Sequence, residues 1–201
     1  MSSSSPAPSV REVRGRRVRA VDTLDAALRV HECLRDPLLD DRERLEVSMA
    51  IVLPDPARFV GAFPDDPVGA FADLLWDAFG IDATGAHRGE WEDPVLDWDE
   101  DLPRLKATVL AAYGTRWDDF LQIPYRDACS LVGMAPFETP MGQALHYRTA
   151  KRPRRTKHNA EELRAFDEAR EFYRLGKGRA ARPEAANERA TAMFDALAGG
   201  R

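Results

Sequence analysis

The chain of 201 residues is 44% hydrophobic, 31% charged and only 8% aromatic, with a net charge of −5. Its apolar fraction is enough for a real core and excludes wholesale disorder, and its length allows one substantial domain or two small ones. No apolar run approaches the roughly 18 uncharged residues that a membrane helix needs, and Met1–Ser9 carries no cation ahead of an apolar stretch, so no secretory signal is expected.

Residues 1–9 are Ser/Pro-rich and read as a disordered N-terminus. Val10, Val13, Val18 and Val21 around Arg14-Gly15 then predict two short strands joined at a glycine turn. Asp22 or Thr23 can cap a helix with the apolar stripe Leu24, Leu28, His31 and Leu34, stopped before Pro37. A second helix opens at Asp40 and carries Leu45, Met49 and Val52-Leu53, and a short third one fits Asp55–Phe63. Pro67 suits the first turn of a fourth, whose stripe Val68, Phe71, Leu74-Leu75 and Ala78-Phe79 is the clearest in the chain and ends at Gly80. Residues 80–97 are rich in Gly and acids and read as a linker or subdomain boundary.

Beyond that boundary, Trp98, Leu102, Leu105, Val109 and Tyr113 recur at helical spacing, with Asp99-Glu100-Asp101 suited to the positive end of the helix dipole and Gly114 to its stop. Pro124–Val132 and Pro140–Thr149 predict two further helices, and Asn159 can cap another that bears Leu163, Phe166, Arg170 and Tyr173. Residues 176–201 read as a flexible tail in which Met193, Phe194 and Leu197 give a weak amphipathic helix. The expected fold is mainly α: a bundle of about seven short helices with a small N-terminal β-hairpin, occupying residues 10–175.

Charge is segregated along the chain. Residues 1–22 sum to +3, residues 36–101 to −14, and residues 148–158, with Arg148, Lys151, Arg152, Arg154, Arg155, Lys157 and no acid, to +6. Such asymmetry favours partners or self-association through opposite fields. Lys151–His158 also suits a small DNA-binding protein, although a whole-chain pI of about 5.5 argues against general phosphate affinity. Cys33 and Cys129 lie far apart among apolar neighbours and read as two reduced structural thiols rather than a disulfide.

Catalytic chemistry finds little support. His31-Glu32-Cys33 has the His-x-Glu of a zinc deaminase without the required Pro-Cys-x-x-Cys element. His87, His146 and His158 have no His or Cys partner at metal-ligand spacing. The pairs Asp40-Asp41, Asp65-Asp66 and Asp118-Asp119 are adjacent in sequence, a spacing that does not make an acid/base dyad. Neither a phosphate-cradling Gly loop nor a nucleophile elbow occurs, and Ser130 lacks a patterned base. The expectation is no enzyme, no metal and no cofactor.

Several segments in order carry a resemblance: residues 22–34 (Asp-Thr-Leu-Asp-Ala-Ala-Leu-Arg-Val-His-Glu-Cys-Leu), Leu39–Leu45, Val95–Leu102 with its Trp98-Asp-Glu-Asp start, Lys106–Gly114 ending in Ala-Ala-Tyr113-Gly114, Met141–Thr149 ending in Tyr147-Arg148-Thr149, and Glu171–Leu175. From about Val10 to Leu175 the chain resembles a family of small tail proteins of long-tailed bacteriophages and of prophages of Gram-positive bacteria. The family is usually assigned as tail assembly chaperones encoded just upstream of the tape measure protein. Its members follow the Tyr-Arg-Thr motif with a basic stretch, as Lys151–Lys157 does here. The resemblance implies a non-enzymatic virion-assembly factor in the host cell cytoplasm, absent from the mature virion, which keeps the long helical tape measure protein soluble while tail tube subunits polymerise. The tail tube protein and a second copy of the chain are further candidate partners; nucleic acid and membrane are not expected. Partner binding is expected at Lys151, Arg152, Arg154, Arg155 and Lys157. Trp98, Tyr113, Gly114, Tyr147, Arg148 and Thr149 are expected to be structural, Tyr147-Arg148-Thr149 closing one helix and fixing it on the last, with Arg148 on helix-end carbonyls.

Overall fold

A computed structural model describes residues 8–82 and 95–176. The described residues are mainly helical behind a two-stranded antiparallel hairpin, as expected, and they divide into two compact units. Among the described residues they hold nine helices, of which only the one-turn Trp117–Phe120 has no counterpart in the sequence reading. The expected boundary at 80–97 lies largely, and the tail beyond residue 176 wholly, outside the described residues.

The first unit comprises residues 8–82 and 121–128. Strands β1 (Ser9–Val13) and β2 (Arg16–Ala20) meet at Arg14 and Gly15, both with positive φ (48° and 76°), the two-residue turn whose twist matches a hairpin. Pairing of Arg11 with Val18 and of Ser9 with Ala20 places Val13, Val18 and Ala20 inward. Val10 falls on the opposite face, 57% exposed, and Val21 lies beyond β2 with its N–H on the Val52 carbonyl at 2.7 Å.

Helix α1 (Leu24–Arg35) is capped by the Thr23 hydroxyl on the Ala26 N–H. Its buried residues are Leu24, Ala26, Ala27, Val30, Cys33 and Leu34, while Leu28 and His31 are half-buried. The stripe is rotated from the expected one because Ala26 and Ala27, small and weakly hydrophobic, sit on the packed side. Helix α2 (Asp41–Val52) starts in a reciprocal capping box between Asp40 and Glu43 and buries Leu45, Met49 and Val52. Asp55 and Asp66 cap α3 (Pro56–Ala62) and α4 (Pro67–Phe79), each with proline in its first turn, and Gly80 ends α4 at φ 66°.

Phe59 packs on Phe63 (4.9 Å) and edge-on to Phe71 (6.1 Å), and Leu74, Leu75, Ala78, Phe79 and Ile81 complete the core. The hairpin's cations neutralise acids of this unit: Arg11 pairs with Asp22 and Asp77, and Arg14 with Asp66 and Asp73. Part of the segregated charge is thereby satisfied internally. Residues 121–128 return to this unit, where Leu24 N–H donates to Ile123, Asp25 N–H to Leu121 and Tyr125 N–H to Asp22.

The second unit comprises residues 95–120 and 129–176. It contains α5 (Leu102–Tyr113), the one-turn α6 (Trp117–Phe120), the later part of α7 (Tyr125–Gly133), α8 (Pro140–Thr149) and α9 (Ala160–Tyr173). Helix α5 begins at Leu102 rather than Trp98, because the Asp97 carboxylate takes the Asp99 and Glu100 N–H groups (2.9 and 2.8 Å) and turns the chain first. Leu105 and Val109 of α5 are buried, as are Phe120, Val132, Met141, Ala144 and Leu163. The Thr108 hydroxyl of α5 accepts from the Met141 N–H at 2.9 Å, and α8 is capped by Thr139. Neither cysteine is in a disulfide; burial raises the pKa of Cys33 despite the hydrogen bond from Ser48.

Candidate functional site

The residues nominated from sequence fall mostly in the last turn of α8 and in the loop after it. The side chain of Arg148, in the last turn of α8, is 6% exposed, and its guanidinium forms a fork on Asp101, whose side chain is fully buried (2.6 and 2.8 Å). The same side chain donates to the Val95 carbonyl (2.9 Å) and to the Tyr173 carbonyl (2.5 Å). The helix-end carbonyl it satisfies is thus that of the last residue of α9. Asp101 also accepts from Arg104 (2.8 Å) and from the Asp97 N–H (3.2 Å). Burial would raise the Asp101 pKa, but the hydrogen bonds from Arg148 and Asp97 together with the charge of Arg148 outweigh it and hold the carboxyl below its ordinary range. Asp101 occupies the N-cap position of α5 without a side-chain capping bond, its carboxylate being engaged by Arg148 and Arg104.

Tyr147 is the hub of a ring cluster. It stacks on Tyr173 with centroids 5.6 Å apart and planes 2° from parallel, meets Phe166 edge-on at 5.7 Å, and touches His146 and Phe137. The Tyr173 hydroxyl shares a hydrogen bond with the Gln143 side chain (2.8 Å), and Arg104 lies over the Tyr173 ring. This arrangement ties α8 to α9. The two ends of the cluster are open to solvent: Phe137 is 48% and Phe172 is 68% exposed. Sequence reading missed both rings, Phe137 because it lies in a loop before α8 and Phe172 because it falls on the polar face of α9; the signal available was their aromatic character in otherwise polar surroundings.

Lys151–Lys157 forms the exposed connection from α8 to α9. Arg152 makes two bonds to Asp167 of α9 (2.7 and 2.6 Å), adjacent in sequence to the Phe166 that contacts Tyr147. Asn159 does not cap α9; its side chain accepts from the Thr156 N–H and donates to the Arg154 carbonyl, holding the loop's end. Lys151, Arg154, Arg155 and Lys157 have no carboxylate partner among the described residues.

The remaining nominated residues close a helix or make local contacts. Gly114 closes α5 at φ 61°, the Tyr113 hydroxyl donates to the Leu131 carbonyl (2.6 Å), the Thr149 hydroxyl donates to Leu145, and Trp98 sits half-buried in the turn before α5. Among the described residues, no group of three or more His, Cys, Asp or Glu side chains is placed to hold a metal ion, and no helix is long and apolar enough to cross a membrane. No family model, curated protein or solved structure matches this chain.

Proposed function

We propose that this protein is a tail assembly chaperone of a long-tailed bacteriophage or prophage. It works in the host cell cytoplasm and binds the tape measure protein, keeping it soluble while the tail tube polymerises. Support comes from the sequence resemblance over Val10–Leu175 and from one structural observation: the second unit exposes the rings of Phe137 and Phe172, and its 151–157 loop carries four cations, Lys151, Arg154, Arg155 and Lys157, with no carboxylate partner among the described residues. A surface with apolar anchors and steering charge suits holding a polypeptide rather than transforming a substrate. Tyr147 and Arg148, through Tyr173, hold together the α8–α9 pair that carries Phe172 and the basic loop.

Co-expression with the tape measure protein encoded downstream tests the proposal. The client should partition to the soluble fraction and be recovered in a complex with this chain at low salt. A client equally insoluble with and without the protein, with no complex recovered, overturns it. The four cations without a carboxylate partner among the described residues also favour a second reading, a DNA-binding protein; it requires an affinity for duplex DNA that falls steeply with rising salt and is lost on their replacement by alanine.

A further inference from the structure

We infer that the outer edge of β2 takes up an extended peptide strand with acids at alternate positions, paired antiparallel to Arg17–Arg19. The inference concerns the first unit and does not rest on the chaperone reading. The two-residue turn at Arg14 and Gly15, with positive φ at both, makes Val13 and Arg16 the hydrogen-bonded pair that closes the hairpin. Bonded and non-bonded pairs alternate along an antiparallel ladder. In the observed register, Arg11 with Val18 and Ser9 with Ala20 are therefore bonded pairs, while Glu12 with Arg17 and Val10 with Arg19 are not. The N–H and C=O groups of Arg17 and Arg19 consequently point away from β1. No group among the described residues bonds to them, and both residues are exposed. Val21, the next residue in the same series, shows that this edge accepts a backbone partner: its N–H takes the Val52 carbonyl at 2.7 Å. The edge is thus paired at Val21 and open from Arg19 to the turn.

Charge and backbone valency choose the occupant. The side chains of Arg17 and Arg19 share the outer face of the hairpin, and neither has a carboxylate partner among the described residues; Glu12, opposite Arg17 in the register, makes no ion pair with it. Residues of an antiparallel partner bonded to Arg17 and Arg19 lie directly opposite them, with side chains on the same face and Cα atoms about 5.5 Å away. Acids at those two places form two cross-strand charge pairs. The residue between them turns to the side of Val18, which is buried, so an apolar side chain fits there. The resulting pattern is acid–apolar–acid on an extended strand, the recognition mode in which main-chain bonds give affinity and alternate side chains give specificity. A second copy of β2 in the same position would set Arg17 and Arg19 against the same two arginines, and like charges directly opposed are destabilising. A phosphate backbone has no N–H to give the Arg17 and Arg19 carbonyls. The edge of β1 carries Val10 and Glu12 and offers no such pair of charges.

The test titrates the isotope-labelled full chain by NMR with end-capped peptides of about eight residues, with Glu-Val-Glu at the centre and threonines around it. The amide signals of Arg17 and Arg19 should shift and their hydrogen exchange should slow, with an affinity about tenfold or more above that of the Lys-Val-Lys peptide. Methylating both glutamate nitrogens, whose N–H groups face the edge, should abolish binding, whereas methylating the valine nitrogen, which faces away, should leave it. Replacing Arg17 and Arg19 together by glutamate should reverse the preference to the lysine peptide; both side chains are exposed, and an unchanged melting temperature verifies that the variant is folded. No binding of the glutamate peptide, binding indifferent to methylation of its glutamate nitrogens, shifts that spare Arg17 and Arg19, or a preference unchanged in the double variant overturns the inference. A chain that dimerises on its own with the Arg17 and Arg19 amides protected puts a second copy at the edge and overturns it as well.

Discussion

Arg148 and Asp101 concentrate the electrostatics of the second unit in one buried pair, and removing either member strands the other. Arg148→Ala should destabilise the protein by about 3–5 kcal/mol, because Asp101 keeps only Arg104 and a backbone N–H, and the Tyr173 and Val95 carbonyls lose their donor. Equilibrium urea denaturation measures this. The pair also sets an acid limit. The folded pKa of Asp101 lies below its unfolded value, so the stabilisation is complete above the unfolded pKa of about 3.9 and is lost as pH falls through the folded one. Melting temperature should therefore drop in acid, and Asp101→Asn should flatten that limb while lowering stability at pH 7; a variant with the wild-type acid slope would contradict the assignment. Tyr147→Ala removes the ring that joins Phe137, Phe166 and Tyr173, and should lower stability by about 2–3 kcal/mol. A thermal melt that does not move would mean that Tyr147 is not what holds α8 to α9.

At the scale of elements, two helical glycines predict opposite outcomes. A Cβ on Gly142 would run into the backbone carbonyl of Pro136, so α8 depends on glycine to lie against the preceding loop, and Gly142→Ala should cost about 2 kcal/mol or more. A Cβ on Gly133 meets nothing within 4 Å, and Gly133→Ala should be neutral or gain up to about 1 kcal/mol from helix propensity. Hairpin docking gives a second contrast. Arg11 pairs with the buried Asp22, whereas Arg14 and both its partners are about half exposed. Arg11→Met should cost roughly 2 kcal/mol and Arg14→Met about 0–1 kcal/mol, read from shifts in the urea midpoint. Elements bounded by caps and stops were legible in the sequence: Asp40 with Glu43, Pro67 with Gly80, Pro140, and Gly114 mark helix ends through local backbone chemistry. Features that depend on a distant partner were not. The rotation of α1 depends on which neighbours pack against Ala26 and Ala27. Asp101 looked like a dipole complement because its partner lies 47 residues away, and the exposure of Phe137 and Phe172 depends on how the α8–α9 pair is assembled.

For the whole molecule, the return of residues 121–128 means that the first unit is not a continuous stretch of chain. A fragment of residues 1–92 lacks the acceptors for the Leu24 and Asp25 N–H groups, the donor to the Asp22 carbonyl, and the Tyr125 ring beside Phe79. It should be less stable than the same unit in the full chain, and a synthetic peptide covering 119–130 should raise its melting temperature in a concentration-dependent way. A fragment as stable as the full chain and indifferent to the peptide would show that the segment contributes nothing.

The same return sets a schedule during synthesis. At about 5–20 residues per second, a ribosome needs several seconds to travel from Ile81 to Ala128. Through that interval the hairpin and its first four helices wait for the piece that completes their backbone bonding at Asp22–Asp25. The nascent chain therefore passes through a stage in which most of its first core has been made and cannot yet close. Chains stalled with residues 121–128 still inside the ribosomal tunnel and chains stalled with that segment clear of it should differ sharply in resistance to brief protease treatment.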